Sequence, residues 1–70
     1  MFEIIMTVCL AATGEDCRDY KLTDKQYESV TACIRDSHGK ADSWQRENTK
    51  FTLIGTRCVK DARIPKAPNT

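Results

Sequence analysis

Seventy residues make one domain at most, and a chain this short buries only about 60% of its unfolded surface, so its core by itself is marginal. With 40% hydrophobic and 30% charged residues it lies outside the disordered range, and a formal net charge of +1 gives no whole-chain attraction to nucleic acid or membrane. The charge is uneven: residues 1–35 hold four Lys/Arg against six Asp/Glu, and residues 36–70 hold seven against four, which makes the second half the anion-facing one.

Phe2, Ile4, Met6, Val8 and Leu10 alternate with Glu3, Ile5, Thr7 and Cys9, the period-2 pattern of a strand with one strongly apolar face. The stretch lacks the positive charge that opens a secretory signal, and cleavage near Ala12 would remove a strand and Cys9, so it is read as structure and the expected compartment is the cytoplasm. No apolar run reaches the length of a membrane-spanning helix. Thr13-Gly14-Glu15-Asp16 has turn composition, and Cys17 to Leu22 alternates again, so residues 2–22 read as a hairpin.

Leu22 to Trp44 reads as one amphipathic helix. Thr23 and Gln26 have capping-box spacing, Leu22 and Tyr27 suit a hydrophobic staple, and Asp24 puts negative charge in the first turn. Tyr27, Val30, Ile34, Ala41 and Trp44 then share one face at a 3.6 period, predicted to cover Ile4, Met6 and Val8. Gly39 either sits inside this helix at a cost of about 1 kcal/mol or ends it early. Trp44 is either the last core residue of the stripe or an exposed anchor.

Phe51 to Val59 is the last strand, closing a domain over residues 1–59. Residues 60–70, which contain Lys60, Arg63, Lys66 and two prolines, are expected to form a mobile basic tail. The elements add up to an α+β fold, β-β-α-β, with the helix on a three-stranded antiparallel sheet. The first strand is expected in the middle and the charged second strand at an edge.

Four cysteines allow three pairings. In this topology Cys9 and Cys17 meet at one end of the sheet and Cys33 and Cys58 at the other, which favours those two disulfides; strict alternation points Cys58 away from the helix, so a bulge is required, for which Gly55 is the candidate. Four reduced thiols are the alternative in a reducing compartment. Gaps of 7, 15 and 24 residues contain no zinc knuckle, so no metal is expected. A catalytic cysteine would need His38 as its base, on the polar part of the helix beside Gly39, and Asp36 and Asp42 are read as a solvated face. With no nucleophile set and no glycine-rich phosphate loop, no enzymatic activity, cofactor or small-molecule substrate is expected.

Val8-Cys9, Cys17-Arg18-Asp19, Ala32-Cys33, Trp44 and Arg57-Cys58 resemble a group of small uncharacterised proteobacterial proteins with a C-R-[DE] strand, a helix carrying Cys then Trp, and a last strand ending in Cys. That resemblance implies a fold and no activity. As a compact module without a catalytic set, the chain is also similar in kind to the anti-CRISPR inhibitors of phages and prophages. This implies a protein partner, a CRISPR effector such as a type I surveillance complex, and occlusion of its surface; direct nucleic-acid binding is not expected. The candidate contact residues are an acidic edge of Glu15, Asp16, Asp19 and Glu28, mimicking phosphates, or a basic set of Arg57, Lys60, Arg63 and Lys66 suited to an acidic patch. The alternative is a structural or stress-related protein of the bacterial envelope that relies on its disulfides.

Overall fold

The first strand organises the molecule. In the computed structural model, which describes residues 1–67, β1 (Phe2–Leu10) is the central strand of a three-stranded antiparallel sheet. It is flanked by β2 (Arg18–Lys21) and β3 (Phe51–Lys60), and α1 (Val30–Glu47) lies over β1 and β3. The order β2-β1-β3 is the expected one, and it puts the most apolar strand where both its edges are covered. Ile4, Met6 and Val8 are fully buried beneath the helix with Leu22, Tyr27, Cys33, Ala41 and Trp44 around them. The hairpin between β1 and β2 turns on Gly14, whose φ of 71° falls where a side chain would be strained, and Leu10 closes it by donating to the Glu15 carbonyl.

β3 carries the irregularity that Cys58 demanded. Val8 pairs with Leu53 while Thr7 pairs with Gly55, so the extra residue of the bulge is Ile54 and not the expected Gly55, which keeps its place in the ladder opposite Thr7. On one side of it Phe51 and Leu53 face the helix; on the other, Thr56 and Cys58 do, opposite Met6 and Ile4. The bulge thus resets the side-chain alternation, and Cys58 reaches Cys33.

The start of the helix differs from the sequence reading. Residues 24–29 are not helical: Ser29 is the N-cap, its Oγ accepting from Ala32 N at 3.1 Å, and Thr23 Oγ1 accepts from Lys25 N in a local turn instead of capping. The cause is non-local. Tyr27 and Phe2 exchange two backbone hydrogen bonds, Phe2 N to Tyr27 O at 2.6 Å and Tyr27 N to Phe2 O at 2.8 Å, so residues 23–26 loop out and Tyr27 resumes pairing with β1. From a start at Val30 the buried stripe is Cys33, Ser37, Ala41 and Trp44, rotated from the predicted one. Val30 and Ile34, predicted to be core, are 42% and 49% exposed. Up to Trp44 the stripe is built of small residues, which fits a helix that the Cys33–Cys58 bridge holds close to the sheet; Ser37 can be buried because its hydroxyl donates to the Ile34 carbonyl at 2.7 Å. Gly39 stays within the helix, which continues to Glu47.

Residues 61–67, expected to be mobile, are docked, and Lys60 belongs to β3. The chain leaves β3 beside Phe2 and reaches the far edge of β2, where Lys21 N donates to the Pro65 carbonyl at 2.9 Å and Ala67 N donates to the Lys21 carbonyl at 3.0 Å. Lys66 pairs with Asp24 at 2.8 Å, and Ala67 packs against the core. Proline suits this edge position because only its carbonyl is used. The rest of the expected tail, residues 68–70, lies outside the described residues.

The face of β1 turned away from the helix buries Ile5 and also Glu3, 3% exposed, whose carboxylate meets Lys21 Nζ at 2.7 Å. Lys21→Met keeps the length of the stem but leaves that carboxylate without its counter-charge. Because Lys21 itself is partly solvated, the expected loss is about 1–2 kcal/mol rather than that of a fully buried pair. Urea denaturation of Lys21→Met, beside a Glu3→Gln/Lys21→Met double variant that restores part of the loss, checks this.

Candidate functional site

Because α1 sits over β1 and β3, the helix-side surface next to β2 is left to the loop that follows β2. The gap between that loop and the helix is an open groove of about 610 Å³. Leu22 and Trp44 line it with Thr23 from the loop and Asp36, Gly39, Lys40, Ser43 and Glu47 from the helix. Gly39 helps keep it open, since nothing lies within 4 Å of where its Cβ would be. Trp44 packs its ring against Phe51 at a centroid distance of 5.9 Å.

At the helix N-terminal end of the groove the loop is tied down by charge. The buried Tyr27 hydroxyl donates to the Asp36 carboxylate, with Lys40 Nζ at 3.8 Å and Lys25 Nζ at 4.0 Å from the same oxygen, and Lys25 lies over the Tyr27 ring at 5.1 Å. Burial first, and then the bond to an anion, push the Tyr27 phenol up to about 12. The same hydrogen bond, joined by the two lysines, holds the Asp36 carboxyl below the usual range. A tyrosine that keeps its proton longer when folded adds stability that is complete below pH 10 and is lost as the pH climbs toward 12. Absorbance titration at high pH should show a tyrosinate step near 12 that Tyr27→Phe removes; if the step lost in Tyr27→Phe lies at the ordinary value near 10 instead, this hydroxyl is in solvent.

The sequence-derived contact residues do not form the two surfaces expected of them. Asp19 lies on the helix-free face, where it accepts from Thr7 Oγ1 at 2.6 Å and pairs with Arg57 at 3.1 Å across β1. The hydrogen bond from Thr7 and then that from Arg57 lower the Asp19 pKa. One residue of the acidic edge is therefore neutralised by one of the basic set. Glu15 and Asp16 belong to the turn beside Leu10, whereas Glu28 follows Tyr27 beside Phe2, so the length of β1, roughly 27 Å, separates them. Asp16 takes a φ of 55°, tolerated by aspartate in a turn. Of the basic set, Lys60 points to the face opposite Arg57, Lys66 is engaged by Asp24, and Arg63 is exposed on the docked segment.

The cysteines pair as expected, Cys9 with Cys17 and Cys33 with Cys58, and none is free. Among the described residues no group of three His, Cys, Asp or Glu side chains could hold a metal ion, and no helix is long and apolar enough to cross a membrane. His38 is exposed and lines a smaller hollow on the other flank of the helix, with Asp42, Gln45 and Thr56 and no cysteine. Gln45, which the sequence reading passed over, bonds at both ends of its amide to β3: its Nε2 donates to the Phe51 carbonyl and its Oε1 accepts from Leu53 N, each at 2.7 Å. A glutamine near a helix C-terminus carries no sequence signal for such a role.

No known protein family matches this chain. Neither a curated protein nor a solved structure is significantly similar to it.

Proposed function

We propose that this chain is a non-enzymatic, disulfide-dependent structural or stress-related module that works in an oxidising compartment, in keeping with the envelope. The observation that supports this reading is the complete pairing of the cysteines at the two weakest joints of the fold. One bridge closes the β1–β2 turn, where β2 is only four residues long; the other fastens the first turns of a helix whose Val30 and Ile34 are turned outward. By loop-closure entropy the bridges contribute about 2.5 and 3.5 kcal/mol for separations of 8 and 25 residues. A domain of this size has a total stability of roughly 4–10 kcal/mol. Thiols in place of cystines would thus remove most of it, and a protein built this way belongs where disulfides persist. The groove adds no catalytic pairing to this: Ser43 lies there with carboxylates and Lys40, while His38 is on the opposite flank.

An anti-CRISPR-like inhibitor occluding a type I surveillance complex draws on the same compact body. Phosphate mimicry by Glu15, Asp16, Asp19 and Glu28 would require one continuous acidic surface, and these residues lie at both ends and on the neutralised face of the sheet. The experiment is thiol trapping in rapidly acid-quenched cells, with fractionation. The expected result is a protein outside the cytoplasm that takes up no maleimide before reduction and four after it. A folded, fully reduced protein in the cytoplasm that protects an infecting phage from a matching CRISPR system would replace this reading with the inhibitor.

A further inference from the structure

The edges of the sheet are treated unequally. On the outer edge of β2, Lys21 is taken up by the chain's own segment at Pro65 and Ala67. On the outer edge of β3, the Gln45 amide occupies Phe51 and Leu53 as a short mock strand, and the bulge at Ile54 follows. Beyond the bulge the strand is regular again. Glu3, Ile5 and Thr7 are paired with Val59, Arg57 and Gly55, and the alternation of an antiparallel ladder directs the N-H and C=O groups of Thr56, Cys58 and Lys60 away from β1. These outward groups meet no other backbone among the described residues, so this half of the β3 edge is open.

We propose that this open edge, Thr56 to Lys60, is a homodimer interface, in which β3 pairs antiparallel with β3 of a second copy about a two-fold axis at Cys58. The segment is self-complementary in that register. Thr56 stands opposite the partner's Lys60, Arg57 opposite the partner's Val59, and Cys58 opposite itself, so no like charges are directly opposed, and Arg57 is already neutralised by Asp19. All three outward residues fall at hydrogen-bonded positions, giving about six new backbone bonds and a continuous six-stranded sheet. The helix supplies the apolar part. Ile34 shares the flank of Gln45, three turns away, and adjoins Cys33, which the disulfide fixes over Cys58. It is 49% exposed in the single chain. The two-fold axis brings Ile34 of one copy toward Ile34 of the other, with antiparallel helices roughly 10 Å apart over the joined sheets. A foreign strand could use the backbone edge but would leave Ile34 bare, which is why the second copy is the occupant that fits. This inference does not depend on the compartment.

Amide hydrogen exchange by NMR on the oxidised full chain, together with sedimentation equilibrium up to about 1 mM, tests it. The expected result is a monomer–dimer equilibrium in which the Thr56, Cys58 and Lys60 amides, and not those of Phe51 or Leu53, gain protection as concentration rises. Ile34→Asp, at an exposed position, should keep the fold and weaken dimerisation by at least about tenfold, and Thr56→Pro, which removes one outward N-H, should do the same. A monomer at all concentrations overturns the proposal, including one whose edge amides become protected only when an extended peptide is added. So does a dimer whose three amides exchange at monomer rates, or one that both substitutions leave intact.

Discussion

Replacing Cys33 and Cys58 together by alanine should lower the melting temperature by roughly 15–25 °C, a loss of about 3.5 kcal/mol. Two effects contribute to it. The bridge closes a separation of 25 residues, so the unfolded chain regains the entropy of that loop. The native state also loses its only covalent tie between helix and sheet, at a fully buried position where Cys33 is the first residue of a stripe otherwise made of Ser37, Ala41 and Trp44. The corresponding Cys9→Ala/Cys17→Ala variant should lose less, about 2.5 kcal/mol, because its separation is 8 residues and Cys17 is exposed. Thermal unfolding followed by circular dichroism, with the oxidised wild type as reference, gives both numbers. The ranking is the informative part: if the hairpin bridge proves the more costly to remove, the helix is held by its packing and the bridge over Cys58 is incidental.

Much of this fold was legible because its governing signals are local or follow from simple parity. The alternation of Phe2 to Leu10 named the central strand, and the conflict between Cys58 and the alternation of Phe51 and Leu53 required a bulge in the last strand, which falls at Ile54, one residue before Gly55. The helix start was not legible. Thr23 and Gln26 offered a better capping box than Ser29 and Ala32, and what overrules them is the backbone pairing of Tyr27 with Phe2, a contact across 25 positions that no local propensity encodes. The error then propagated. A stripe counted from Tyr27 assigns Val30 and Ile34 to the core, whereas one counted from Cys33 turns them outward, where Ile34 becomes available to a second copy.

The candidate surfaces were misread for a related reason. Acidic and basic residues were grouped by their place in the sequence, but strand register decides neighbours: Thr7 stands between Asp19 and Arg57, so charges from opposite halves of the chain meet and cancel. Likewise two prolines in residues 60–70 signalled a free tail, yet an edge strand needs only alternate groups, and Lys21 takes the Pro65 carbonyl as readily as any other.

Trp44→Ala should be the most damaging single substitution, costing about 3–5 kcal/mol and lowering the melting temperature by roughly 15–30 °C. Trp44 is 9% exposed, closes the C-terminal end of the buried stripe, and meets Phe51 just past the turn that joins helix and last strand. The turn depends on it indirectly as well: Asn48 Nδ2 donates to the Trp44 carbonyl at 2.9 Å, and Gln45, the next residue, holds Phe51 and Leu53. Losing the indole opens a cavity under the groove between Leu22 and Phe51 that these close-packed neighbours cannot fill. Set against a total of roughly 4–10 kcal/mol, the variant should be partly unfolded at 37 °C, and Trp44→Phe should recover most of the loss by keeping the ring contact with Phe51. Urea denaturation followed by circular dichroism decides the role of this side chain. A Trp44→Ala midpoint within about 1 kcal/mol of the wild type would make Trp44 a surface anchor for a partner, and the groove it lines would then be the place to look for that partner.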